Sequence, residues 1–183
     1  LDSSRLIEYA TASFGQGINM TPLALARALS SLGNGGLLVT PYIVEEVRYA
    51  NGLTQQKKAP EPKRVLKEET SKTITRMLVE VVDTKLAGGH GKIPGYSVAA
   101  KTGTAQIASV DRRGYSDEFM HTFFGYGPAY DPQFLVVLYI ERPQGIRYAS
   151  ESLTEPFRSI MKHLFSYFEV LPDRPQELND KKL

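Results

Sequence analysis

The sequence predicts an α+β fold in which an antiparallel sheet is covered by helices. Two observations carry that expectation. Three apolar segments, at residues 96–108, 119–126 and 134–140, follow one another through short polar connections containing Arg112-Arg113-Gly114 and Asp131-Pro132, which suits consecutive antiparallel strands. Segments before and after them carry apolar residues at helical spacing, each giving one face that must pack on something.

Taken in order, the first punctuated helix is TPLALARALSSLGNGG. Thr21 is placed to cap it, Pro22 suits its first position, Gly33 closes it, and Leu25, Leu29 and Leu32 share a face. The following LLVTPYIVEEVRYANGLTQQ reads as extended structure with a type I′ hairpin turn at Asn51-Gly52, and KKAPEPKRV as a charged surface connection or irregular edge. A second helix is expected from about residue 68 to 86, with Ile74, Leu78, Val81 and Val82 inward and Gly88-Gly89 ending it. After the three strands comes a helix capped by Thr154, whose Phe157, Ile160, Met161, Leu164, Phe165 and Phe168 should lie flat on the sheet. Residues 172–183 form a polar tail that is expected to fray.

Composition narrows the function. At 183 residues the chain has the size of one domain with a real core, and 22 Lys plus Arg against 20 Asp plus Glu give no electrostatic case for nucleic acid or an anionic membrane. The absence of cysteine excludes disulfides, thiolate nucleophiles and zinc-thiolate sites. His90, His121 and His163 have no metal-ligand spacing, so they read as satisfied histidines, and neither metal nor cofactor is expected.

The chemistry concentrates in AAKTGTAQ. In a strand, Lys101 and Gly103 share one side and Thr102 and Thr104 the other. Lys101 supplies a cation for a substrate carboxylate or a neighbouring hydroxyl, and Gly103 allows close approach to the strand. The threonine hydroxyls can bind the carboxylate, and the backbone N–H of Thr104 is available to a developing oxyanion. The competing reading is an edge strand carrying a protective lysine.

The wider context favours chemistry. GYSVAAKTGTAQIA, preceded by ATASFGQGINMTPLALARALSSLGNGG and followed by HTFFGYGPAYDP, resembles the transpeptidase domain of class B penicillin-binding proteins, from Ser13 to about Leu171. A Lys-Thr-Gly box with an upstream Ser-x-x-Lys is the signature of that superfamily and of serine β-lactamases. The resemblance implies an enzyme that cross-links peptidoglycan: a serine attacks the D-Ala-D-Ala bond of a stem peptide, D-alanine leaves, and an amine resolves the acyl-enzyme. It also implies β-lactams as covalent inhibitors, and an extracytoplasmic location with a membrane anchor outside this sequence. Cell-wall synthesis machinery is the implied partner. Lys101 and Thr104 then resemble catalytic residues, and Thr102, Gly103, Thr104 and Gln106 line the substrate cleft.

Two motifs are missing. Residues 1–100 contain neither Ser-x-x-Lys nor Ser-x-Asn. The one Ser-x-x-Lys, Ser159 to Lys162, follows the box and falls on the solvent side of the last helix; Ser97, four residues before Lys101, has the wrong spacing, and Ser3 and Ser4 have no lysine three residues on. The expectation is therefore the C-terminal portion of one transpeptidase domain, over residues 1–183. Its nucleophile would lie in the upstream half of that domain, and the chain would be inactive alone. A non-catalytic β-lactam sensor and a serine β-lactamase are the alternatives. In the connection before the second strand, Asp111, Arg112, Arg113 and Asp117 are candidates for tuning substrate access.

Overall fold

The structure, a computed structural model, describes residues 5–109, 111 and 114–179. Ser3, Ser4, Arg112 and Arg113 lie outside the described residues. A short helix not anticipated from the sequence, α1 (Leu6–Ala12), comes first, with Leu6, Ile7 and Tyr9 exposed. Helix α2 (Pro22–Gly33) begins as the sequence implies, with Thr21 Oγ1 accepting the Ala24 N–H at 3.2 Å. Four short strands follow: β1 (Leu37–Leu38), β2 (Glu46–Arg48), β3 (Thr54–Gln56) and β4 (Lys63–Arg64).

Strands β2 and β3 form the expected hairpin, but its loop is wider than a type I′ turn. The Tyr49 N–H bonds the Leu53 carbonyl at 2.8 Å, and of residues 50–52 only Gly52 is left-handed, at φ +84°. The charged connection reaches an edge, since Lys63 and Arg64 pair with Leu38 and Leu37. Helix α3 (Glu68–Glu80) is shorter than the pattern suggests. It widens into a π-helical turn at Val81–Lys85, where Thr84 Oγ1 donates back to the Glu80 carbonyl at 2.8 Å, and then into a 3-10 turn at Leu86–Gly89.

The centre is a three-stranded antiparallel sheet of β5 (Ala99–Ala108), β6 (Tyr115–Gly127) and β7 (Phe134–Glu141), paired in that order. The middle strand starts at Tyr115, earlier than its apolar run, because polar Ser116 to Glu118 continue the hairpin beyond the core. Strand alternation then separates two cores. On one face Ala99 and Tyr126 pack with Val79 of α3 and Leu32 of α2. On the other, Ala100 and Phe123 meet Phe157, Met161 and Phe165 of α4 (Ala149–Tyr167).

Helix α4 starts five residues before the expected cap. Thr154 lies inside it and donates to the Ser150 carbonyl at 2.6 Å, while the helix entrance is held by the Glu151 carboxylate, which accepts the Tyr148 N–H at 3.3 Å. Its buried row is Ala149, Leu153, Phe157, Met161 and Phe165, a strict four-residue ridge. Ile160 and Phe168, expected inside, are 38% and 57% exposed, and Phe168 lies past the helix end against Phe134.

The polar tail is pinned rather than frayed through α5 (Gln176–Asn179). The Asp173 carboxylate accepts the Ser97 N–H at 2.7 Å and the Ser97 hydroxyl, and the Arg174 N–H bonds the Gly95 carbonyl at 3.0 Å. The Arg174 guanidinium pairs with Asp83 at 2.9 Å, and Glu177 with Lys92 at 2.7 Å. These contacts fix the chain just as it enters β5.

Candidate active site

Strand β5 is at the edge of the sheet, so half of its main-chain groups face no other strand among the described residues. Which half follows from three contacts. The Ser97 carbonyl accepts the Ala129 N–H at 2.9 Å and the Gly103 carbonyl faces the Thr122 hydroxyl at 3.4 Å, so odd-numbered residues direct N–H and C=O toward β6. Conversely, the Lys101 ammonium donates to the Thr102 carbonyl at 2.8 Å. Even-numbered residues, Thr102 and Thr104 among them, therefore aim their N–H and C=O out of the open edge.

The side chains divide as the sequence implies. Lys101 is exposed and lies opposite Phe124 in the register; Gly103 lies opposite Thr122 on the same face. These residues, with Thr102, Leu25 and Leu29 of α2, Phe124 and Val137, line a mostly apolar cleft of about 200 Å³. On the opposite face Thr102 is half-buried beside Phe123, and among the described residues its hydroxyl has no hydrogen-bond partner. Thr104 is committed: its Oγ1 accepts the Ala149 N–H at 3.0 Å, joining the strand to the first residue of α4. It still has its own hydroxyl proton to donate.

Gly103 has a further reason to be glycine. A Cβ there would come within 2.4 Å of Thr122 Oγ1, so the cross-strand neighbour fills the space beside it. Gln106 is exposed at the far end of the same edge, with its side-chain amide donating to the Ser116 carbonyl at 3.2 Å. It opens onto a groove of about 490 Å³ lined by Asp117, Phe119, Pro143, Gly145, Ile146 and Arg147. Of these only Asp117 was singled out in the sequence; the 143–147 wall carries no motif and reaches the groove only through tertiary folding.

Neither of the two described candidate serines lies at the open edge. Ser159 and Lys162 are exposed on the side of α4 away from the buried Phe157 and Met161. Ser97 is fully buried; its hydroxyl donates to Asp173 and its oxygen accepts the Ala129 N–H at 2.9 Å. Neither faces the open edge beside Lys101. Among the described residues no cluster of His, Cys, Asp or Glu could hold a metal ion, and no helix is long and apolar enough to cross a membrane.

This arrangement matches known proteins over nearly the whole chain. The family model for the penicillin binding protein transpeptidase domain matches residues 1–162. Stage V sporulation protein D of Bacillus subtilis is 35% identical over 173 residues, covering 93% of this chain and 26% of that protein. The probable peptidoglycan D,D-transpeptidase PenA of Neisseria gonorrhoeae is 33% identical over 172 residues, covering 93% of this chain and 28% of that protein. The chain thus spans about a quarter of the length of these relatives. Among solved structures, penicillin binding protein 3 of Mycobacterium tuberculosis complexed with ampicillin superposes with a TM-score of 0.79 at 26% identity, over 90% of this chain and 38% of that one. The transpeptidase domain of Burkholderia pseudomallei penicillin-binding protein 3 gives 0.72 at 26% identity, over 92% and 49%. With an edge strand bearing the Lys-Thr-Gly box and this coverage by the family model, the chain belongs to the penicillin-binding protein transpeptidase domain family.

Proposed function

We propose that the chain carries the Lys-Thr-Gly strand of a peptidoglycan D,D-transpeptidase whose nucleophilic serine lies outside these 183 residues. The observation that carries this reading is the open edge of β5, where the Lys101 ammonium and the Thr102 and Thr104 main-chain groups are presented together. A stem peptide laid along that edge pairs with it as an added strand. Its terminal carboxylate meets Lys101 and the unpartnered Thr102 hydroxyl, and the scissile carbonyl oxygen meets the Thr104 N–H. Gly103 keeps the edge low, and Gln106 contacts the peptide before the reacting bond.

In the acylation step the serine oxygen bonds the penultimate D-alanyl carbonyl carbon, and the tetrahedral oxyanion is held by the Thr104 N–H. The C–N bond then breaks as the departing amine of D-alanine takes the proton that the serine hydroxyl gives up on attack. An amine of a second stem peptide repeats the sequence in reverse and releases the serine. Lys101 lowers the cost of the negative charge that both steps bring to this edge. β-Lactams enter by the same route, consistent with the ampicillin and aztreonam complexes of the Mycobacterium tuberculosis relative. The reading places the domain on the outer side of the inner membrane, beside other wall-synthesis proteins, and assigns no metal or cofactor.

The test is covalent labelling by a fluorescent penicillin, read by intact mass. The 183-residue chain alone is expected to show no adduct, and the intact gene product with its upstream serine a single one. In the intact protein Lys101→Ala should slow acylation by roughly a hundredfold or more, the scale for removing a group that stabilises transition-state charge. A stoichiometric adduct on this chain alone, or undiminished labelling of the Lys101→Ala protein, would overturn the assignment.

A further inference from the structure

His121 is fully buried on β6, directly opposite Thr104 in the β5–β6 register. Its Nε2 lies 3.0 Å from the Arg147 carbonyl and its Nδ1 2.8 Å from Ser152 Oγ. A carbonyl only accepts, so Nε2 donates to Arg147, while the Ser152 hydroxyl lies against Nδ1 and, at 3.4 Å, against the Ala149 carbonyl. Both partners flank the entrance of α4: Arg147 precedes it and Ser152 is in its first turn.

The same entrance presents the N–H of Ala149, itself fully buried, to Thr104 Oγ1 at 3.0 Å. Hydrogen bonds joined by the backbone of the helix start therefore connect the imidazole to the residue whose main-chain N–H faces the open edge. The segment leading into the helix, residues 142–148, belongs to no strand or helix. The imidazole ties that segment to the sheet from beneath. Without it the Arg147 carbonyl loses its partner, the Ser152 hydroxyl keeps only the Ala149 carbonyl at 3.4 Å, and the Ala149 N–H is no longer held over Thr104.

We propose that His121 is a positioning residue that fixes Thr104 by clamping the entrance of α4. The proposal rests on the acyl-transfer reading of β5 for its catalytic consequence, but the clamp itself is tested separately. A small displacement of the Thr104 N–H from the reacting carbonyl is expected to slow acylation roughly ten- to a hundredfold while leaving the prior reversible binding of the β-lactam little changed.

Two measurements decide it. In this chain, amide hydrogen exchange at Ala149 should accelerate in His121→Ala and remain slow in His121→Gln, whose side-chain amide offers an N–H where Nε2 stands. In the intact protein, acylation by a fluorescent penicillin, resolved into binding and rate constant, should show the rate constant falling in His121→Ala, recovering in His121→Gln, and falling less in Ser152→Ala. The milder Ser152→Ala variant carries the test if His121→Ala does not fold. Unchanged Ala149 protection, or a His121→Gln protein as slow as His121→Ala, would overturn the proposal. If the intact wild-type protein is not acylated at all, it is the transpeptidase reading that fails, and Ala149 protection still decides whether the clamp exists.

Discussion

Gly103 shows how one missing side chain answers two demands. In the proposed function it keeps the open edge low for a ligand; within the sheet it clears Thr122, whose Oγ1 would sit 2.4 Å from an added Cβ. Gly103→Ala is therefore expected to destabilise the chain by about 1–3 kcal/mol, the usual cost of an overpacked site. Denaturant titration would measure it, and adding Thr122→Ala should return most of the loss. If Thr122→Ala brings no recovery, the clash is not the cause. Much at this scale was legible in the sequence, because alternation is a property of any strand: Lys101 and Gly103 do share a face opposite Thr102 and Thr104. The partner of the Thr104 hydroxyl was not legible, since Ala149 lies 45 residues away.

At the scale of elements, α4 and the sheet fit by subtraction. Phe157 stacks on Phe123 with ring centroids 4.4 Å apart, and its ring tip occupies space that Gly125 leaves empty, where a Cβ would stand 2.4 Å away. Phe157→Ala should cost about 3–5 kcal/mol in a denaturant titration. Phe168→Ala, at a residue 57% exposed, should cost far less, and equal losses would mean that the four-residue ridge does not carry the packing. The sequence revealed that a helix covers the sheet, through its concentration of apolar residues. It misplaced the start because Thr154 is a good capping type and Tyr148 is not; the cap comes from Glu151 reaching back. The hairpin was legible for a similar local reason, and its wider loop was not.

The whole molecule is closed by its polar tail. Partial burial pushes the Glu177 carboxyl upward, but Lys92, the Gly95 N–H and Arg174 outweigh it and hold it below its ordinary value of 4.5. The folded state thus holds this proton less tightly than the unfolded chain. The contribution of Glu177 to stability is complete above pH 4.5 and is lost as pH falls through the lower folded value. Thermal unfolding followed from neutral pH into acid should show a smaller fall in midpoint for Glu177→Gln than for the wild type, and parallel curves would refute the link. Composition alone made this segment read as frayed, because its partners at Asp83, Lys92, Gly95 and Ser97 are set by folding. The same limit applies to the site: the box residues carry a motif, whereas the 143–147 wall and the His121 clamp exist only once α4 has docked.

The tie between Ser97 and Asp173 also sets a clock. The two residues are 76 positions apart, so at roughly 5–20 residues per second a ribosome adds the second about 4–15 s after the first. Through that interval the entrance to β5 is without its anchor and the edge strand is exposed to neighbouring nascent chains. The charge on Lys101, borne on that edge from the moment it is made, opposes their pairing.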